Sequence, residues 1–161
     1  MDLEVWLLRH AEATPESPTG RDRDRALTEH GQQTCIRLRH WLADYARSHR
    51  MPKTIFYSPA KRTQQTIAAV VEDLALPTPQ SLDALWAASA GELVDIISKH
   101  KHQPDPLWLV GHNPGLSDVV SWLATDLPWP GMKPGTLVRL GLSSKLHPRE
   151  GQILEVIQAM D

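Results

Sequence analysis

The stretch 5–10 (VWLLRH) decides the fold, because a short apolar run stops there at an arginine and a histidine. Consecutive apolar residues over this length predict a strand. The arrangement returns at 107–112 (LWLVGH), where a second apolar run ends in a glycine and a histidine. Each run therefore predicts a strand that leads to a histidine, a residue type that can take part in catalysis.

Around these two runs, strand-like segments alternate with apolar residues at helical spacing. Further strands are predicted at 54–57, 136–142 and 152–158, and the stretch 125–135 (TDLPWPGMKPG) is predicted to be a loop. Helix starts are predicted at Thr28, at Ser58 with Pro59, at Ser89 with Glu92 and at Asn113 with Pro114, since these residue types favour helix N-termini. The alternation indicates a single α/β domain over 1–161 with a largely parallel sheet, whose last two strands are antiparallel or at the edge.

Bulk composition excludes several classes of protein. The net charge of −2 over 161 residues gives no reason to expect a nucleic acid or an anionic membrane as the main partner. The single cysteine, Cys35, forbids an intramolecular disulfide and fits a reducing compartment, and its place on an apolar helix face predicts a core residue. Residues 1–8 lack the features of a signal peptide, and no apolar run approaches the roughly 20 residues that span a bilayer. We expect a cytoplasmic protein without membrane contacts.

The ends of three predicted strands carry basic residues. Strand 5–8 ends in Arg9 and His10, strand 54–57 leads to Arg62 in the next helix, and strand 107–111 ends at His112. Ligands of open α/β sheets bind where strands end and helices begin, so these four side chains are expected at one edge of the sheet. The helix start at Asn113 is expected to add backbone N–H groups there, which makes Asn113 a candidate substrate-binding residue.

Such an edge is suited to a phosphoryl group. Guanidinium groups bind two phosphate oxygens at once, and neutralising those oxygens is the main requirement of phosphoryl transfer. A neutral imidazole has a lone pair near pH 7, so a histidine between arginines is a candidate nucleophile that forms a phosphohistidine. We expect no metal and no other cofactor, because the arginines carry the compensating charge.

Three blocks of the chain, "LLRHAEA" at 7–13, "SPAKRTQQT" at 58–66 and "VGHNPGLS" at 110–117, resemble the histidine phosphatase superfamily. The segments 25–31 (RALTEHG) and 131–140 (GMKPGTLVRL) also fit, and the short length is most similar to the SixA-type phosphohistidine phosphatases. The resemblance implies a three-layer α/β/α fold of the phosphoglycerate mutase type, with a mostly parallel central sheet and an antiparallel edge strand.

The resemblance also implies roles for individual residues. Arg9 and His10 match the pair that opens the family's pocket, Arg62 matches an arginine that grips phosphate, and His112 matches the second pocket histidine. Arg25 falls where SixA-type members place a further pocket arginine, although Arg21 and Arg23 lie on the same loop. We therefore predict Arg9, His10, Arg62 and His112 as catalytic residues, and Arg25 with Asn113 as substrate-binding residues.

The sequence departs from the wider family in the segment before the third block. Many members carry a general acid there, whereas this chain reads "SLDALWAASAGE" at 81–92. Asp83 is a candidate acid, and so is Glu92, although the spacing of Glu92 from Ser89 also indicates a capping box. A general acid contributes about 10²–10⁴-fold to proton transfer at the leaving group. Because residues 81–92 contain no clear counterpart of this acid, a phosphohistidine substrate, whose imidazole leaves easily, is favoured over a phosphate ester.

These observations predict a metal-independent phosphatase that dephosphorylates phosphohistidine in a phosphotransfer protein. A phosphatase for small metabolites, such as a sugar or nucleotide phosphate, is the alternative, and a catalytically inactive phosphate-binding module is the third reading. The partner is accordingly a phosphorylated protein or a small phosphorylated metabolite. Trp86 and Trp129 either line the pocket mouth or only pack, and Glu12 either orients an arginine or faces solvent.

Overall fold

A six-stranded sheet with helices on both faces forms the structure, a computed structural model that describes residues 2–124 and 129–158. The strands are β1 (Leu3–Arg9), β2 (Thr54–Tyr57), β3 (Gln80–Ser81), β4 (Leu107–Gly111), β5 (Leu137–Leu142) and β6 (Gln152–Ile157). The helices are α1 (Glu29–Tyr45), α2 (Lys61–Val70), α3 (Ala90–Lys99) and α4 (Gly115–Ala124). Two short 3₁₀ helices lie at Asp22–Asp24 and Asp83–Leu85.

The strand order is β3-β2-β4-β1-β5-β6. The first four strands in this order are mutually parallel, and β5 runs antiparallel to both β1 and β6. This arrangement confirms the predicted three-layer fold with its mostly parallel sheet and antiparallel edge. The register pairs Arg9 with Gly111, so the ends of β1 and β4 lie side by side at the centre of the sheet.

The central strands are apolar throughout because both of their faces are buried. Val5 and Leu7 of β1 belong to the apolar cluster under α3 and α4, whereas Trp6 and Leu8 belong to the cluster under α1 and α2. A strand covered by helices on both faces needs apolar residues at every position instead of an alternating pattern. β1 ends at Arg9, and His10 follows it directly.

Helix α2 begins two residues later than the sequence predicts. Its N-cap is Ala60 and its first residue is Lys61, so the predicted cap at Ser58 and first helical position at Pro59 are wrong. Ser58 is fully buried and its backbone N–H donates to the carbonyl of Val110, which continues the β2–β4 pairing by one residue. Because Ser58 does not cap α2, its hydroxyl is available to contact another element.

Other boundaries agree more closely with the sequence. Thr28 caps α1, and Ser89 with Glu92 forms the predicted capping box of α3. Helix α4 begins at Gly115, one residue after the predicted first position Pro114, and the side chain of the predicted cap Asn113 accepts the backbone N–H of Ser117. The two-residue strand β3 was not predicted, since both of its residues are polar and exposed. Residues 125–128 of the predicted loop lie outside the described residues.

Within the described ranges, no helix has both the length and the apolar character needed to cross a membrane. The predicted cytoplasmic location stays a prediction.

Candidate active site

The two candidate histidines meet at the carboxyl ends of β1 and β4. The backbone N–H of His10 donates to the carbonyl of Gly111 at 3.1 Å, and the ring centroids of His10 and His112 lie 5.5 Å apart. Arg62 reaches the same point from the start of α2, where its Nη2 lies 3.4 Å from Nδ1 of His112. The structure thus brings together the residues that three separate strand ends predicted.

One ring nitrogen of His10 is tied to the backbone. Nδ1 lies 2.8 Å from the carbonyl oxygen of Ala11, and because a carbonyl only accepts, Nδ1 carries the hydrogen and donates it. The lone pair of the neutral ring is therefore on Nε2. Burial lowers the pKa of His10 to about 4, with further lowering by the charges of Arg62, Arg9 and Arg25. His10 is consequently a neutral imidazole at pH 7 with a defined nucleophilic nitrogen.

Two side chains hold His112 in place. Its Nε2 lies 2.7 Å from the hydroxyl oxygen of Ser58, and its Nδ1 faces Arg62. A guanidinium only donates, so Nδ1 accepts and Nε2–H donates to Ser58 in this arrangement. The Trp86 ring packs against the imidazole in a T-shaped arrangement, with the ring centroids 5.3 Å apart. Burial, followed by the charges of Arg62 and His10, lowers the pKa of His112 to about 3.

Arg9 and Arg62 are anchored so that part of each guanidinium stays unpaired. Arg9 donates from Nη1 to the carbonyl of Met132 at 2.8 Å, and Arg62 donates from Nη1 to the carbonyl of Asp22 at 2.9 Å. Among the described residues, neither buried Nε has a hydrogen-bond partner. Desolvation lowers the pKa of both guanidinium groups, but each remains charged at neutral pH. Buried guanidinium groups of this kind are suited to binding an oxyanion.

The loop before α1 supplies a third guanidinium. Arg25 donates from Nε to Asp22 and from Nη1 to the carbonyl of Thr14, both at 2.9 Å. Its charge contributes to the lowered pKa of both His10 and His112. Arg23 lies over the ring of Trp86 instead, with its Cζ 5.3 Å from the ring centroid. The charge of Arg25 therefore acts on both histidines, and a substrate contact for Arg25 stays a prediction.

The other predicted residues are Asn113, Asp83 and Glu92. The amide nitrogen of Asn113 donates to the carbonyl of Met132 at 2.9 Å, the same oxygen that Arg9 uses, so the recorded contacts of Asn113 are with the protein. Asp83 is exposed at the start of its 3₁₀ helix, while Glu92 accepts the backbone N–H of Ser89. A substrate contact for Asn113 and acid roles for Asp83 and Glu92 stay predictions.

Three contacts in the site were not predicted from the sequence. Ser58 was interpreted as a helix cap, Asp22 was one charge in a charged loop, and Trp86 was left undecided between the pocket mouth and packing. Ser58 and Trp86 contact His112, and Asp22 links Arg25 to Arg62. The proline after Ser58 is compatible with a strand end and with a helix start, and in the structure it marks only the strand end.

The remaining residues singled out in the sequence have structural contacts. Cys35 is buried in the cluster under α1 and α2, and burial raises its thiol pKa to about 11. Glu12 accepts the hydroxyl of Thr28 at 2.8 Å, and Trp129 packs against the cluster under α3 and α4. Over residues 2–124 and 129–158, no group of three or more histidine, cysteine or carboxylate side chains is arranged to hold a metal ion.

Known proteins with similar folds share this arrangement of strands and helices. A structure assigned as the phosphohistidine phosphatase SixA of Agrobacterium tumefaciens is 24% identical, covers 98% of each chain and superposes with a TM-score of 0.81. The protein histidine phosphatase SixA complexed with tungstate is 19% identical, covers 98% of this chain and 97% of its own, and gives a TM-score of 0.82. At these identities, the similarity shows the fold.

Sequence comparison gives the family. An uncharacterized chloroplastic protein of Arabidopsis thaliana is 28% identical over an alignment of 129 residues that covers 73% of this chain. The chain spans 57% of the length of that curated relative. The model of the histidine phosphatase superfamily (branch 1) matches residues 5–123, which include the three blocks that predicted it. The chain belongs to the histidine phosphatase superfamily.

Proposed function

We propose that the protein is a phosphatase in which Nε2 of His10 attacks phosphorus. One observation carries the proposal: a neutral imidazole with its lone pair on Nε2 is buried among the charges of Arg9, Arg25 and Arg62. A nucleophile fixed by its second nitrogen and surrounded by cations is what an incoming phosphoryl dianion requires. Membership of the histidine phosphatase superfamily supports the same reaction class.

The reaction takes place in two displacements. The Nε2 lone pair forms a bond to phosphorus as the bond to the leaving group breaks, which gives a phosphohistidine. Water then attacks the phosphohistidine, releases inorganic phosphate and returns the electron pair to Nε2. The guanidinium groups neutralise the equatorial oxygens in both steps, which needs no metal. His112, 3.4 Å from Arg62, supplies a further polar contact to the transferring group.

The substrate that we propose is a phosphohistidine in a phosphotransfer protein. Glu92 is engaged in a helix cap and Asp83 is exposed, so neither candidate acid shows a contact that orients it toward a leaving group. The hydrogen bonds and charges of Arg25 and Arg62 outweigh the desolvation of Asp22 and lower its pKa, so Asp22 is ionised and has no proton to donate. A leaving imidazole needs less acid assistance than an alkoxide. The similarity to SixA structures supports this choice.

Turnover measured with EDTA present tests both parts of the proposal. Wild type, His10→Ala and the matched control His40→Ala, at an exposed histidine of α1, are incubated with a phosphohistidine-bearing phosphotransfer domain, p-nitrophenyl phosphate and a panel of phosphorylated metabolites. We expect hydrolysis of the phosphoprotein by wild type and His40→Ala, and none above background by His10→Ala.

Each unexpected outcome of this turnover experiment contradicts a different part of the proposal. Equal turnover by wild type and His10→Ala contradicts the nucleophile. Rapid hydrolysis of a metabolite beside an inert phosphoprotein gives the alternative of a small-molecule phosphatase. Tight phosphate binding without any turnover gives the non-catalytic phosphate-binding module. Activity that is lost with EDTA contradicts metal independence.

A further inference from the structure

Asp22 is the one carboxylate recorded in contact with the pocket arginines among the described residues. Its Oδ1 accepts from Nε of Arg25 at 2.9 Å, and its Oδ2 accepts from Nη2 of Arg62 at 3.0 Å. Its backbone carbonyl accepts from Nη1 of Arg62 at 2.9 Å. One residue thus occupies both terminal nitrogens of Arg62 and the Nε of Arg25.

These are the donors that a bound oxyanion would use. A carboxylate and a phosphoryl group accept from the same guanidinium edge in the same bidentate manner. Since Nη2 of Arg62 also lies 3.4 Å from His112, the Asp22 carboxylate meets Arg62 on the side that faces the candidate histidines. A phosphoryl group that binds Arg62 there has to share or displace this contact.

The charges of the site agree with such competition. Three guanidinium groups, of Arg9, Arg25 and Arg62, oppose one carboxylate, so the resting pocket has two positive charges in excess. Removing the Asp22 charge leaves all three, and the attraction for a phosphate dianion then grows.

The two sides of the ion pair differ in their freedom to move. The Arg62 side chain is 7% exposed, whereas that of Asp22 is 56% exposed. Asp22 also lines a cavity of about 580 Å³ within the loop 15–25, and Arg21 lines the same cavity. A displaced carboxylate therefore has space beside it and a second cation within that space, while Arg62 stays in place.

We propose that the Asp22 carboxylate competes with bound phosphate for Arg25 and Arg62, which weakens phosphate binding and so speeds product release. This inference rests on the proposed function, because it assumes that the product is inorganic phosphate. Asp22 acts through Arg25 and Arg62 and is a positioning residue that sets oxyanion affinity. A carboxylate that only braced the two arginines would have the opposite effect, since its loss would weaken phosphate binding.

Equilibrium binding of inorganic phosphate separates these two roles. We expect Asp22→Asn to lower the dissociation constant for phosphate by about tenfold, or about 1.4 kcal/mol. Product inhibition by phosphate should strengthen by the same factor. The matched control is Asp24→Asn, because Asp24 lies in the same 3₁₀ helix and its carboxylate accepts from the Thr19 hydroxyl instead of an arginine. We expect that control to bind phosphate like wild type.

The outcomes distinguish failure of this inference from failure of the proposed function. Unchanged or weaker phosphate binding by Asp22→Asn overturns the inference, even if wild type hydrolyses phosphohistidine as proposed. An equal increase in phosphate affinity in Asp24→Asn also overturns it, since the effect would then come from removing any negative charge from this loop. Absence of all hydrolysis overturns the proposed function, while the binding comparison still decides the role of Asp22. Thermal unfolding of each variant, and Asp22→Ser as a second substitution, guard against a folding defect.

Discussion

His10 and His112 occupy equivalent places at the ends of adjacent parallel strands, yet they are held differently. His10 is fixed by the backbone carbonyl of the next residue, whereas His112 is fixed by the side chains of Ser58, which directly follows β2, and of Arg62 in α2. A backbone carbonyl accepts only, so it determines which nitrogen of His10 has the lone pair. A hydroxyl both donates and accepts, so Ser58 leaves His112 free to exchange tautomers when a phosphoryl group replaces Arg62 at Nδ1.

The difference indicates a division of labour. A fixed tautomer suits a nucleophile, which must present the same nitrogen in every cycle. An adjustable tautomer suits a residue that accepts from a guanidinium in the empty site and donates to a phosphoryl oxygen in the occupied one. Four predictions test this division, in order of decreasing effect.

Replacing the nucleophile should have the largest effect. His10→Ala removes the group that forms the covalent intermediate, and we expect kcat to fall by at least about 10⁴-fold, as when other enzymes lose their nucleophile. Rapid-quench trapping of an acid-labile, base-stable phosphoenzyme should succeed with wild type and fail with the variant. Trapping of the same species in His10→Ala would contradict the assignment.

Replacing the second histidine should have a smaller effect. His112→Ala removes one polar contact to the transferring group while the arginines remain, so we expect kcat to fall by about 10²–10³-fold. The phosphoenzyme should still form in this variant, only more slowly. A variant that forms none would show that the two histidines are not divided as proposed.

Acid should destabilise the fold through both histidines. Their pKa values are lowered from 6.5 to about 4 for His10 and about 3 for His112, so between pH 6.5 and 4 the unfolded chain binds protons that the folded chain does not. The free energy of unfolding should therefore fall with decreasing pH across this window, by up to about 1.4 kcal/mol per pH unit for each histidine.

Urea denaturation at a series of pH values measures this slope. His10→Ala and His112→Ala should each have a shallower slope than wild type between pH 6.5 and 4. An unchanged slope in either variant would mean that the replaced histidine is protonated in the folded protein as readily as in the unfolded chain.

Removing the Ser58 hydroxyl should have the smallest effect. Ser58→Ala leaves Nε2 of His112 without its partner, and we expect kcat to fall about tenfold with little change in KM, since a hydrogen bond of this kind contributes about 1 kcal/mol. Nitrogen-15 NMR of His112 should show an altered tautomer ratio. The matched control is Ser48→Ala, which breaks an exposed serine–histidine contact with His49. Equal effects from both variants would contradict a role for Ser58 at the site.

Much of the fold and part of the candidate site could be predicted from local sequence signals. The apolar runs at β1 and β4 predicted strands because double coverage by helices requires them, and the ends of these runs located His10 and His112. The histidine phosphatase family, which the three blocks predicted, is confirmed. The helix start at Ser58 was wrong because serine before proline also occurs where a strand ends, and the pairing of Ser58 with Val110 decides between the two.

The resemblance predicted a pocket role for Arg25, but the contacts of the charged loop 21–25 could not be predicted, for a different reason. Its alternating arginines and aspartates are compatible with pairing among themselves, and the Arg25–Asp22 contact is of that kind. The contact between Asp22 and Arg62 joins residues 40 positions apart, so no local signal contains it. The roles of these residues in catalysis stay predictions until the variants are measured.

From local apolar patterns, the sequence by itself determined the alternation of strands and helices and the strand ends that carry basic residues. From the resemblance of three blocks it determined the family and the layers of the fold. Only the tertiary structure decided which nitrogen of His10 has the free lone pair, which side chains engage the two nitrogens of His112, and that the carboxylate of Asp22 already contacts Arg25 and Arg62. Those properties depend on burial and on contacts between distant segments, such as the 54 positions between Ser58 and His112. Tertiary packing determines such contacts, and the donor and acceptor roles in these hydrogen bonds decide the chemistry of the site.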